Sequence, residues 1–211
     1  MSWQSTGPLG RSYQTKGNMN MKSFLRYPGG KSRRQARSQI LACAPDSYEE
    51  FREPFVGGAG IGLSIASSLT RWFNDINPDL MAVYEALRDS PEEFIDMCRQ
   101  IQPLSDHAYA DPSDYEVESW GLERTYLRML EDKSVPSAVR FYFRNRTSFS
   151  GVVVDGHRCF STPERWEIVN TDILAQASAI LQGVKLTSVD FAARKQCLDL
   201  SRPTVCFGHV S

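Results

Sequence analysis

Strands and helices alternate along residues 22–89, as the spacing of apolar and polar positions shows. Residues 48–56 predict a strand that enters a glycine-rich turn, and residues 61–68 predict the helix that leaves it. Residues 71–75 predict a second strand ending on Asp75. Pro78 then opens a helix whose apolar residues Leu80, Met81, Val83, Tyr84 and Leu87 share one stripe. Upstream, residues 24–27 read as a short extended piece, Pro28-Gly29-Gly30 as a turn, and residues 32–44 as a helix stopped by Pro45-Asp46-Ser47. This alternation predicts an α/β fold with a mostly parallel, Rossmann-like sheet.

The rhythm changes further along. Residues 90–101 predict an amphipathic helix whose early acids, Glu92 and Glu93, suit the helix dipole. Residues 102–120, rich in Asp, Pro, Ser and Tyr, predict a loop. Helices are expected over 122–130 and 137–145, followed by a hairpin over 149–158 built on Gly151, Val152-Val153-Val154 and Asp155-Gly156. Residues 172–181 predict a helix, 184–189 a strand and 203–207 the start of a fourth. The expected organisation is a basic unstructured leader at 1–21, a core made of 22–89 and 171–211, and an insertion at 90–170.

The chain has 211 residues, enough for one large domain, and no apolar run long enough to span a bilayer, which predicts a soluble protein. Its five cysteines are odd in number and contain no CxxC pair, so free thiols in a reducing compartment, the cytoplasm, are expected. The three histidines show no ligand spacing, and no metal is expected. Net charge is only -1, yet residues 1–40 carry Arg11, Lys16, Lys22, Arg26, Lys31, Arg33, Arg34 and Arg37 without an acid. That basic head reads either as a leader ahead of Met21 or as a surface facing phosphates.

Candidate chemistry gathers at the glycine turn, Glu53-Pro54-Phe55-Val56-Gly57-Gly58-Ala59-Gly60. A carboxylate at the tip of the second strand, Asp75, can accept both hydroxyl protons of a ribose and repels phosphate, so a nucleoside-carrying ligand is inferred. The turn is not the dinucleotide fingerprint, since a GxGxxG frame from Gly58 would need glycine where Leu63 stands. Gly30-Lys31-Ser32 imitates the tail of a P-loop, but the leading glycine would fall on Leu25. A second concentration lies at Arg140, Arg144, Arg146, Arg158 and Arg165, interleaved with Phe141, Tyr142, Phe143 and Phe149. Guanidinium groups suit phosphates or the edge of guanine, whereas Phe141 and Tyr142 equally suit a packed core.

Taken together, Phe24-Leu25-Arg26-Tyr27-Pro28-Gly29-Gly30-Lys31-Ser32, the turn from Glu53 to Gly60, and Asn74-Asp75-Ile76-Asn77 followed by Leu80 and Tyr84 resemble the Dam-like class of adenine-specific DNA methyltransferases. The resemblance covers residues 22–207. It implies transfer of a methyl group from S-adenosylmethionine to adenine in double-stranded DNA, in a bacterial or phage-encoded protein of the restriction-modification kind. Tyr27, Gly29, Gly30, Lys31, Glu53, Pro54, Phe55, Gly57, Gly58, Gly60 and Asp75 are the cofactor contacts it implies. Residues 141–151 resemble the family's target-recognition segment, which makes 90–170 a target-recognition insertion and Arg144, Asn145, Arg146, Ser148 and Arg158 its DNA contacts. The family's usual aromatic-Asn-Gly ending is Phe149-Ser150-Gly151 here.

In the family a DPPY tetrad at the tip of the fourth strand holds the flipped adenine. Thr204-Val205-Cys206-Phe207 resembles that strand, but Gly208-His209-Val210-Ser211 follows, with neither the carboxylate nor the aromatic platform. The expectation is a chain cut before its catalytic motif, with the fourth strand left as an unpaired apolar edge. Two other readings stand beside this one: a module that binds donor and DNA and relies on a second chain for the rest of the sheet, and a nicotinamide oxidoreductase. The first expectation has a direct measurement. Purified chain, labelled S-adenosylmethionine and unmethylated or hemimethylated duplex should give no incorporation above a boiled control, and incorporation would mean that the fourth strand is misaligned.

Overall fold

The computed structural model describes residues 21, 23–27, 34–45, 47–66, 68–101, 114–154, 159–161, 171–190 and 203–207, with the backbone alone for 114–120. Four strands, β1 (Glu50–Glu53), β2 (Thr70–Asn74), β3 (Val184–Thr187) and β4 (Thr204–Cys206), pair in parallel in the order β3-β2-β1-β4. The chain steps outward from β1 through β2 to β3 and then returns to the far side of β1. Strand order therefore reverses between β1 and β4, the position at which open α/β sheets leave a crevice beyond their carboxyl ends. Among the described residues β4 is an edge, as expected: Glu50, Phe51 and Arg52 of β1 face Thr204, Val205 and Cys206 on one side, and no described strand lies on the other.

Six helices accompany the sheet among the described residues: α1 (Arg34–Ala42), α2 (Pro78–Asp89), α3 (Pro91–Gln100), α4 (Asp114–Glu131), α5 (Ser137–Thr147) and α6 (Thr171–Leu181). The central one is α2, which packs against α3, α5, α6 and β3. Its stripe of Leu80, Met81, Val83, Tyr84 and Leu87 is wholly buried, as the spacing predicts. Its start is fixed locally: the Asn77 side chain accepts hydrogen bonds from the backbone N–H groups of Asp79 (3.0 Å) and Leu80 (3.2 Å), and Pro78 fills the first helical position. β2 is tied to the far end of α6 by Arg71, whose guanidinium donates to the Gln182 carbonyl (3.0 Å). A cation there meets the negative end of the helix dipole.

Three elements differ from the sequence expectation. The helix expected over 61–68 is a single 3₁₀ turn, Gly62–Ser64, after which Ile65 is already extended. The Gly62 N–H is taken by the Glu53 carboxylate (2.9 Å), and Ile61, Leu63 and Ile65 are all buried, so the segment gives its apolar residues to the core without a helical stripe. The loop expected over 102–120 is helical from Asp114 onward. Leu122, Tyr126 and Met129 of α4 close a second apolar cluster on Phe143, and the helix continues from them back to Asp114.

The described part of the hairpin expected over 149–158 also differs, and its expected turn, Asp155-Gly156, lies outside the described residues. Phe149–Gly151 is a 3₁₀ turn with Ser150 at φ 53 and Gly151 at φ 77, conformations that no strand contains. The chain does turn back, at an antiparallel bridge between Ser148 and Phe160 flanked by Phe149 N–H to Cys159 C=O (2.7 Å) and Ser161 N–H to Thr147 C=O (2.8 Å).

The insertion expected at 90–170 shares the core. Phe94 and Cys98 of α3 and Val139, Phe141 and Tyr142 of α5 lie in the same buried cluster as Phe51, Phe73 and Leu80. Met21, the expected last residue of the leader, is a core residue too, and its carbonyl accepts from Arg37. The remaining leader residues, 1–20, lie outside the described residues.

A packing test follows from the 3₁₀ turn. A Cβ on Gly62 would stand 2.4 Å from Phe73 Cζ and 2.6 Å from Glu53 Oε2, both held by the sheet. Gly62→Ala should lower unfolding free energy by about 2–3 kcal/mol, read as a lower urea midpoint at unchanged slope.

Candidate functional site

Parallel pairing brings the carboxyl ends of β1, β2 and β4 to one edge of the sheet, and the residues that leave them form the site. Its centre is Gly57. The Gly57 N–H donates to Asp75 Oδ2 (3.1 Å), and its carbonyl accepts from the Tyr84 hydroxyl (2.6 Å). One residue of the glycine turn is therefore gripped from both sides by the segment that runs from β2 into α2. Asp75 Oδ1 accepts the Asn77 N–H (3.1 Å), so the same carboxylate ties the turn to the start of α2. Both oxygens keep acceptor capacity, because an ionised carboxylate offers about four lone-pair sites.

The ends of the two central strands are locked by Asn74. Its Nδ2 donates to the carbonyls of Pro54 (3.0 Å) and Val189 (3.0 Å), while its Oδ1 accepts from the Val189 N–H (3.1 Å) and the Thr187 hydroxyl (2.7 Å). Glu53 reaches forward to the Gly62 N–H, completing a turn whose polar backbone is held by three side chains of the strand tips.

Tyr27 covers the turn from the amino-terminal side. A Cβ on Gly57 would lie 3.0 Å from its ring, and one on Gly58 would lie 3.2 Å from its Cβ, so the glycines are what let the ring sit down. The segment is pinned by the Ser23 hydroxyl, which donates to the Gly58 carbonyl (2.5 Å). Tyr27 keeps 39 % of its surface exposed, Phe55 42 % and Ile76 66 %, an apolar fringe around a carboxylate that is itself 7 % exposed. Burial, and then the Asp75 charge, hold the Tyr27 phenol above its ordinary range. Tyr84 is pushed well above it by burial first and then by Glu53, Asp75 and Tyr27. Both phenols are neutral donors at neutral pH.

The expected cofactor residues Tyr27, Glu53, Pro54, Phe55, Gly57, Gly58, Gly60 and Asp75 all lie on this edge. Gly29, Gly30 and Lys31 fall outside the described residues. Tyr84 and Ile76 complete the arrangement. The sequence marks Tyr84 as a residue of an apolar stripe and Ile76 as a neighbour of the acid, both within the motif around Asp75, without assigning either a contact.

The expected DNA contacts are distributed differently. Arg144, Asn145 and Ser148 are buried, with Arg144 Nη2 donating to the Val154 carbonyl (3.0 Å) and the Ser148 hydroxyl facing the Asn145 carbonyl (3.4 Å). They lie on the inner side of α5 and its last turn, whereas Arg146 is half-buried and Phe149 is 67 % exposed. Arg158 lies outside the described residues, as do Gly208, His209, Val210 and Ser211. A cavity of about 280 Å³ between α3, α4 and α5, lined by Met97, Ile101, Thr125, Met129 and Val139 among others, contains none of the expected site residues. Among the described residues no His, Cys, Asp and Glu group is placed to hold a metal ion, and no helix is long and apolar enough to cross a membrane.

Residues 27–193, from the ring on the glycine turn to just past β3, match the family described as D12 class N6 adenine-specific DNA methyltransferase. The chain belongs to that family. Among its relatives are the type II methyltransferase M1.LlaDCHI of Lactococcus lactis subsp. cremoris, 27 % identical over 83 % of this chain and 61 % of that protein. The type II methyltransferase M.MjaIII of Methanocaldococcus jannaschii is 25 % identical over 86 % of this chain and 66 % of its own length. A DNA adenine methylase of Haemophilus influenzae is 25 % identical over 65 % and 44 %. The chain thus spans less than two thirds of the length of each of these proteins. The sheet edge described above lies within the residues that match this family.

Tyr84 makes the grip on Gly57 measurable. Its pKa is raised on folding, so its contribution is fully present below the ordinary value of 10.0 and is lost as pH climbs from there towards the folded value. Tyr84→Phe should cost about 1–2 kcal/mol at pH 7 through the lost hydrogen bond to Gly57, and its stability should fall less steeply above pH 10 than that of the parent chain. Urea titrations across that range provide the comparison.

Proposed function

We propose that the protein binds S-adenosylmethionine as the donor for methylation of adenine N6 in double-stranded DNA, and that the edge formed by Tyr27, the glycine turn and Asp75 is the donor seat. The observation that carries the reading is the Asp75 carboxylate, nine-tenths buried at the tip of β2 and held open by two backbone N–H groups. Such a group accepts hydroxyl donors and rejects phosphate, which fits the sugar of a nucleoside that carries no phosphate. When bound, the donor supplies an electrophilic methyl group on a positively charged sulfur.

The chain's own residues do the rest of the holding. Asp75 orients the ribose, the exposed faces of Phe55 and Ile76 offer apolar cover for the base, and the glycine turn lets the donor's amino-acid arm approach the backbone. The two acids, Glu53 and Asp75, give the seat a negative potential that favours a cationic sulfur. For DNA, the outward part of the α5 terminus is the natural contact: Arg146 for phosphate or a base edge, beside the exposed Phe149-Ser150 turn. Arg144, Asn145 and Ser148 support that surface from inside.

Calorimetric titration of the purified chain with S-adenosylmethionine, with NAD in parallel, tests the seat. Binding of the first and not the second is expected. Asp75→Asn should weaken it about 10- to 100-fold, the cost of a hydrogen bond to a charged acceptor, with the melting temperature measured alongside. No donor binding by the intact chain, or unchanged affinity in a folded Asp75→Asn variant, removes the reading.

A further inference from the structure

Asn145 carries a role that its sequence context hides. It lies in the segment expected to read DNA, yet its side chain is completely buried and spends three hydrogen bonds on the protein's own backbone. Oδ1 accepts the Arg26 N–H (2.9 Å), and Nδ2 donates to the carbonyls of Arg26 (2.6 Å) and Gly151 (2.9 Å). The amide therefore takes both polar groups of the residue immediately before Tyr27, as a neighbouring strand would. Among the described residues no strand does so.

The same residue is clamped from the other side. Gly151 sits at φ 77, and a Cβ on it would stand 2.2 Å from the Arg26 carbonyl oxygen and 2.5 Å from the Arg26 Cβ. Arg26 is thus enclosed between the end of α5 and the turn that follows it. At its start the segment is held by Ser23 on the Gly58 carbonyl, so the backbone that presents Tyr27 has two anchors, one on the glycine turn and one on α5. Tyr27 lies against Gly57 and Gly58, and Gly57 lies on Asp75. The contacts run without a gap from the exposed Phe149-Ser150 turn through Asn145, Arg26 and Tyr27 to the carboxylate.

We propose that Asn145 is a positioning residue for the methyl donor: it fixes Arg26, and through it the Tyr27 ring, and so ties the helix end that bears the DNA-facing turn to the donor seat. The proposal rests on the donor reading given above. A buried asparagine with a purely structural role would alter stability alone. Asn145, in this arrangement, alters donor affinity by way of Tyr27.

The test is a double-mutant cycle on the full chain, with S-adenosylmethionine titrated into the parent, Asn145→Ala, Tyr27→Ala and the double variant, each also melted. Asn145→Ala is expected to weaken donor binding about tenfold, and the double variant to bind no more weakly than Tyr27→Ala alone. Gly151→Ala, which presses on Arg26 from the opposite side with Asn145 intact, should weaken donor binding in the same way and serves if Asn145→Ala does not fold. Thr147→Val, which removes a buried hydroxyl bond to the Phe143 carbonyl in the same helical turn, should lower the melting temperature and leave donor affinity alone. Losses that multiply in the double variant, or unchanged affinity in both Asn145→Ala and Gly151→Ala, overturn the positioning role and leave the donor seat standing. Absence of donor binding in the parent chain overturns both.

Discussion

The carboxylate of Asp75 is the constraint from which the rest of the site follows. It stands where β2 ends and accepts two backbone N–H groups, one from the glycine turn after β1 and one from the start of α2. A turn with several glycines has little side-chain packing of its own and would otherwise sample many backbone states. Holding both backbone polar groups of Gly57, with Asp75 on the N–H and Tyr84 on the carbonyl, fixes the two peptides that flank it and makes the turn a rigid surface. Tyr84 can do this only because the apolar stripe of α2 anchors the helix in the core.

The electrostatic consequence is a seat of one sign. Burial first, and then Glu53 and Asp75, raise the proton affinity of the Tyr84 phenol, and burial and then Asp75 that of Tyr27, so the tyrosines remain neutral beside two acids. Tyr84 then keeps the proton it needs to donate to Gly57. The same field makes the edge hospitable to cations and to hydroxyl donors and hostile to phosphate, which separates it from the phosphate-cradling glycine turns that resemble it in composition.

Two buried asparagines solve the same problem in different places. Asn74 joins the exits of β1 and β3 by holding the Pro54 carbonyl and both polar groups of Val189. Asn145 joins the amino-terminal segment to α5 by holding both polar groups of Arg26. Wherever the backbone leaves regular structure and is still buried, its N–H and C=O groups need partners, and a primary amide offers a donor and an acceptor with the spacing of a peptide. Hence one of the segments rich in arginine and asparagine serves the interior as much as the surface.

What the sequence by itself determined is the local order: the alternation of strands and helices, the opening proline and stripe of α2, the glycine turn, and the acid at the tip of β2. These depend on residues close in the chain, where period, capping and turn chemistry act. Only the tertiary structure decided which side of a residue faces inward. The helix α4, anchored on Phe143 by Leu122, Tyr126 and Met129, begins at Asp114 inside the expected loop, and the positive φ of Ser150 and Gly151 makes a tight turn where the first arm of a hairpin was expected. Asn145, Ser148 and Arg144 read as DNA contacts because their types are those of DNA contacts; they are internal because α5 presents that side to the core. Tyr84 and Asn145 took their roles from partners 27 and 119 residues away, a separation that no local pattern carries.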